Sequence, residues 1–143
     1  MLNVLDTNVL VSALLNPFGP PARVLDQVLS NVVQLAFDDR ILAECSEVLK
    51  RPRFGFPAND IRALLNHIQL NGRQIVAAPA GLRKFPDPGD LPFAEVALSA
   101  LADVLVTGNV SHFRSLEGRG IPVLTPAEFM DGLEQLMRRQ RGD

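Results

Sequence analysis

Two rhythms of apolar residues alternate along this chain. Short apolar runs, Leu2 to Leu5, Val32 to Phe37, Val104 to Val106 and Pro122 to Leu124, have the length of buried parallel strands. Between them the apolar positions recur at helical spacing. Val9 to Leu15 predicts a first helix, stopped by the Pro/Gly cluster Asn16 to Pro21. A second, opened by Pro21 or Ala22, carries Val24, Leu25, Val28 and Leu29 and ends near Ser30-Asn31. A third spans Arg40 to Arg51 behind the capping pair Asp38-Asp39, with Ile41, Leu42, Cys45, Val48 and Leu49 on one face.

A fourth helix, capped by Asn59 or Asp60, carries Ile61, Leu64, Leu65, Ile68 and Leu70 and ends at Gly72. Gln74 to Ala78 reads as a short strand and Pro79 to Pro92 as a loop. Asp90 opens a further helix, with Pro92 in its first turn, where the missing N–H does no harm. His112 to Arg114 starts a short turn. Thr125 and Glu128 have capping-box spacing at the head of a last helix, whose charged end, Arg138 to Asp143, is expected to fray.

Strands alternating with helices imply a three-layer α/β/α architecture, a central parallel sheet covered on both faces and joined by right-handed crossovers. No repeat or linker divides it, so residues 1–143 are read as one domain. The arrangement places Asp6, Asp38-Asp39 and Thr107 to Asn109 at one edge, beyond the carboxyl ends of the strands, where open α/β sheets bind ligands.

Composition narrows the classes. The 143 residues are 47% hydrophobic and 21% charged, the balance of a globular domain with a real core. Cys45 is the single cysteine, so no internal disulfide exists and a reducing cytoplasm is the expected compartment. No apolar run is long enough to span a membrane, and the N-terminus lacks the basic region and cleavage site of a signal peptide. Net charge is −2, against a general nucleic-acid coat. Of the 14 basic residues 12 are Arg, gathered as Lys50-Arg51-Arg53, Arg83-Lys84 and Arg138-Arg139-Arg141. Such groups are either solvated faces or a local phosphate-holding rim.

Three acids stand where they could converge: Asp6 after the first strand, Glu44 in the first turns of the third helix, and Asp90 beyond the loop. Their hard oxygens suit Mg²⁺ or Mn²⁺, and the absence of a Cys/His set argues against zinc. Clustered carboxylates repel, so a cation or raised pKa values must accompany them. Capping remains the plain alternative for Asp6. His112 is read as packing beside Phe113, His67 as part of a helical stripe, and Cys45 as a buried thiol. Ser12 lacks a nucleophile elbow, and no glycine-rich phosphate loop follows the first strand.

Val4 to Leu10, Leu42 to Cys45 with Val48 to Phe54, Asp87 to Asp90 with Phe93 to Ala97, and Val106 to Asn109 with His112-Phe113 together resemble a PIN domain, nearest to toxin components of toxin–antitoxin systems related to VapC-type toxins. The resemblance runs from Leu2 to about Phe129. It implies a Rossmann-like fold, a metal-dependent endoribonuclease acting on RNA, a homodimer and an antitoxin partner. It assigns Asp6, Glu44 and Asp90 as metal-holding catalytic acids. Asn109 stands where many relatives carry a fourth acid, and Gly89 where they often have another. Asn8, Asp87, Glu95 and Thr107 become positioning residues.

Rival classes are weaker. An aspartyl phosphotransferase needs a second acid two residues after Asp6, where Asn8 stands, and both it and a receiver domain need a late Lys, whereas Lys84 is the last. The non-enzymatic alternative is a degenerate PIN module that binds RNA or a protein without cutting.

Overall fold

The computed structural model describes residues 1–81 and 87–142. The basic pair Arg83-Lys84 lies outside the described residues. Five parallel strands form the central sheet: β1 (Leu2–Leu5), β2 (Gln34–Phe37), β3 (Arg73–Gln74), β4 (Val104–Val106) and β5 (Val123–Leu124), in the order β3-β2-β1-β4-β5. The helices between them are α1 (Thr7–Leu15), α2 (Pro20–Leu29), α3 (Asp39–Leu49), α4 (Ala58–Asn71), α5 (Leu91–Ala100), α6 (Arg114–Glu117) and α7 (Pro126–Gln140). Central β1 pairs with β2 on one side and β4 on the other, Asn3 lying opposite both Leu35 and Val104. Strand order therefore reverses between β1 and β4. That reversal opens a crevice at their carboxyl ends.

The β1 and β4 side chains are buried throughout, as a sheet covered on both faces requires. Val4, Leu105 and Val106 are sealed from solvent, together with Leu49, Phe93, Phe113 and Leu116 from the flanking elements. Several boundaries move. α1 starts at Thr7 because Asp6 is its N-cap. β2 is shorter than its apolar run, since Val32 and Val33 bond back to Gln27 in the turn leaving α2. β3 ends at Gln74, after which Ile75 N–H still reaches the Phe37 carbonyl at 2.9 Å.

Two caps differ from expectation. Neither Asn59 nor Asp60 caps α4. Pro57 occupies the cap position without a side-chain bond, and Asn59 instead accepts from Arg62 at 3.2 Å inside the first turn. Gly72 ends α4 as expected but in extended backbone; a Cβ there would lie 2.4 Å from the Ile68 carbonyl and 2.7 Å from that of Leu35. Crowding between helix end and sheet, not a left-handed turn, demands this glycine. The Thr125–Glu128 capping box is formed. α7 continues through Arg138 and Arg139 to Gln140, into the segment expected to fray, and cations in a last turn complement the helix dipole.

Candidate active site at the sheet switch point

Asp6 leaves β1 with its N–H on the Val106 carbonyl at 3.0 Å, which locks the β1 and β4 ends together. Its side chain is buried at 4% exposure. One oxygen, Oδ2, accepts from the hydroxyl of buried Thr107 at 2.8 Å; the other, Oδ1, faces the Asn8 N–H at 3.4 Å. The capping reading and the site reading of Asp6 thus both hold, one oxygen each. Thr107 in turn accepts from the Asn109 N–H at 3.0 Å, so the turn after β4 is threaded onto the same carboxylate.

Glu44 reaches the edge from α3. Its Oε2 accepts from the Thr7 hydroxyl at 2.6 Å, and the same hydroxyl lies 3.5 Å from the buried Cys45 sulfur. Glu47, three residues on, faces solvent and pairs with Arg51 at 2.9 Å. Asp90 closes a single 3-10 turn, Pro88 to Asp90, just ahead of α5, and Asp87 caps that turn through the Gly89 N–H at 2.9 Å. Asp90 occupies the cap position of α5 but makes no side-chain cap bond; its Oδ2 instead lies 3.1 Å from His112 Nδ1.

Electrostatics ties these acids together. Burial pushes the Asp6 carboxyl up, against the lowering effect of its Thr107 bond. Burial also raises Glu44, and the charges of Asp6, Asp90 and Asp87 add to the rise. Asp90 is raised by burial and then by Asp6, while His112 holds it down. Glu44, on α3, therefore feels the charges of Asp6 and Asp90, and Asp90, at the head of α5, feels that of Asp6. The Cys45 thiol, pushed up to about 11 by burial, is a core group and no nucleophile.

The remaining candidates divide. Asp87 is exposed but its charge reaches both Glu44 and Asp90. Asn8 and Asn109 are exposed at the edge, each tied in by its backbone N–H. Glu95 is not turned toward the acids. Five residues beyond Asp90, it is rotated by roughly 140° about the helix, where it bonds Arg40 at 2.8 Å and the Ala80 N–H at 3.0 Å. Arg40 also pairs with Asp38 at 2.8 Å, so Glu95 fastens α5 to α3 and to the irregular segment that follows β3. His67 bonds the Val28 carbonyl at 3.0 Å.

Two residues gained roles that the sequence reading did not give them. His112 is a partner of Asp90 rather than a packing residue, and Thr7 is more than a turn former, since it aims Glu44. The available signal was position: Thr7 lies just after β1, and His112 in the turn that follows β4, at the edge where the acids gather.

The donor set is all oxygen, and Glu44 Oε1 and Asp90 Oδ1 carry no hydrogen bond among the described residues. Raised carboxyls with unused oxygens fit a hard divalent cation in kind. Among the described residues no three His, Cys, Asp or Glu side chains close into a ready-made metal cage.

A parallel sheet with an acid-lined crevice at its switch point defines an α/β protein of the class that binds ligands beyond its strand ends. The PIN domain family matches residues 3–111, and the chain belongs to that family. It is 25% identical to an uncharacterised protein of Methanocaldococcus jannaschii over 94% of this chain and 92% of that protein. Its fold is similar to a chain in the crystal structure of VapBC2 from Rickettsia felis bound to a DNA fragment from their promoter, with a TM-score of 0.54, 17% identity and coverage of 87% of this chain and 98% of that one. Among the described residues no helix is long and apolar enough to cross a membrane.

Proposed function

We propose that the protein is a divalent-metal-dependent endoribonuclease and the toxin of a toxin–antitoxin pair. The observation that carries this reading is the placing of Asp6, Glu44 and Asp90 at the sheet switch point, where the Asp6 charge raises both of the other carboxyls. Membership of the PIN family and likeness to a chain of a VapBC complex support it. Asp6, Glu44 and Asp90 would hold the ion; bound there, Mg²⁺ or Mn²⁺ supplies Lewis-acid stabilisation of a phosphodiester under attack by water.

The chain's own groups prepare that chemistry. Thr107 fixes the Asp6 carboxylate, Thr7 aims Glu44, and His112 orients Asp90. The amides of Asn8 and Asn109 stand exposed at the same edge to meet phosphate or water. Asp87 adds negative potential that draws a cation in. Lys50, Arg51 and Arg53 provide a basic margin for the RNA backbone, which makes binding salt-sensitive. An antitoxin protein and a second copy of this chain are the proposed protein partners, in the cytoplasm.

A structured RNA of mixed sequence, incubated with Mn²⁺, with Mg²⁺ and with EDTA, tests the reading. Cleavage requires metal, and Asp6→Asn lowers it by at least about 10²-fold while leaving the fold intact. Unchanged turnover in that variant sinks the assignment. A second reading, a PIN module that binds without cutting, draws on Asn109 and Gly89 in place of acids. RNA shifted but left whole by both proteins would select it.

A further inference from the structure

A cavity of about 380 Å³ lies between the end of α3 and α4, and no role assigned so far uses it. Lys50, on its lining, stands six residues beyond Glu44. The helix therefore carries it roughly 9 Å further along its axis, away from the sheet edge at which α3 begins. The floor is apolar: Phe56, Ile61 and Leu65. Phe56 is set there by the turn before α4. Gly55 adopts a φ of +62°, and the Phe56 ring stacks on Phe54 with centroids 5.4 Å and planes 11° apart. Pro52 and Pro57 bracket this turn and restrict its backbone before any partner arrives.

The rim carries charge of one sign, from Lys50 on the α3 side and Arg62 on α4. Lys50 makes no ion pair among the described residues, and Arg62 bonds the neutral Asn59 side chain at 3.2 Å. Neighbouring charges are engaged elsewhere. Glu47 is held by Arg51, and Arg53 lies over the Phe54 ring at 4.7 Å. Asp60, the single acid of α4, does not line the cavity. Asn66 and Gln69 complete the wall, and neither amide makes a hydrogen bond among the described residues.

We propose that this cavity is a docking site for a protein partner, and that it takes a short segment in which an apolar side chain is flanked by carboxylates. The apolar floor accepts the side chain. Lys50 and Arg62, with no acid in the lining, complement the carboxylates. The amides of Asn66 and Gln69 each offer a donor and an acceptor, as a peptide backbone does. Arg62, Asn66 and Gln69 recur at helical spacing, so their stripe runs roughly 10 Å along α4, the length of about three extended residues. A phosphodiester chain fits less well, because two cations set among amides and apolar side chains do not track a row of phosphates. The proposal stands apart from the ribonuclease reading, since it uses none of the acids.

Three fluorescein-labelled hexapeptides test it by fluorescence anisotropy on the full chain. One holds Leu-Phe between pairs of acids, one holds Leu-Phe between pairs of lysines, and one holds Ala-Ala between the acids. The first binds about tenfold more tightly than either of the others. Arg62→Glu abolishes the preference for acidic flanks. Ala58→Trp, which fills the cavity from an exposed position at the head of α4, weakens the first peptide about tenfold. Thermal melts verify that both variants fold, and Mn²⁺-dependent cutting of RNA is unchanged in both. Equal binding of the three peptides, or none, overturns the site, and so does acidic-peptide binding that both variants leave intact. A labelled single-stranded RNA that binds the wild type and is lost in both variants, with no peptide bound, assigns the cavity to nucleic acid and overturns it too.

Backbone amide shifts give the location. The acidic peptide moves the signals of Phe56, Arg62 and Leu65 and leaves Asp6 and Asp90 in place; shifts confined to other surfaces overturn the proposal. If the wild type cuts no RNA while the peptide preference and its loss in the variants persist, the ribonuclease reading alone fails.

Discussion

Asp90 and His112 show how one hydrogen bond sets a working range. The Asp90 carboxyl is raised by burial and by Asp6, and His112 is the main influence lowering it. Removing the imidazole therefore raises Asp90 further. In His112→Ala the acid limb of the pH–rate profile should move to higher pH, with the alkaline limit and the fold unaffected. A limb that stays in place would show that Asp90 does not need to be ionised for turnover. The same residue scale explains Cys45, whose burial beside Thr7 and Glu44 makes it packing and not chemistry.

At the scale of elements, the site depends on how helices meet the sheet edge. α4 ends against β2 at Gly72, where two carbonyls occupy the space that a side chain would take. Gly72→Ala should destabilise the domain by about 1–3 kcal/mol through forced backbone shifts, measured by urea denaturation at unchanged m-value. A loss below a few tenths would mean that the α4 end yields without strain. Glu95 works at the same scale. By engaging Arg40 and the Ala80 N–H it ties α5 to α3, the helix that carries Glu44.

For the whole molecule, the acid cluster is a local liability set into a stable frame. Asp6, Glu44 and Asp90 all have folded-state pKa values above their ordinary ones. Between the ordinary and raised values the folded chain holds more protons than the unfolded one, so stability falls as pH rises through that window. Below it the three carboxyls are neutral in both states and the penalty is absent. Thermal melts of metal-free protein from about pH 4 to 7 should show this decline, shallower in Asp6→Asn, which melts higher than wild type at neutral pH. Mg²⁺ or Mn²⁺ should restore wild-type stability at neutral pH and leave Asp6→Asn nearly unmoved. Parallel pH curves for the two proteins would contradict the coupling.

The order of strands and helices, the acids at strand and helix ends and the Thr125–Glu128 cap were legible in the sequence. Each is written in local periodicity or in spacings of a few residues. Asp6, Glu44 and Asp90 were legible as candidates because strand ends and helix starts are local events, and the PIN resemblance joined them. What tertiary structure alone decided are the partners across the chain: Thr7 with Glu44, 37 residues apart; Asp90 with His112, 22 apart; and Glu95 with Arg40, 55 apart. No local pattern encodes such pairs, because they exist only after the crossovers have brought β1, β4, α3 and α5 to one edge. The sequence named the acids, and the packed sheet determined which neighbours hold them.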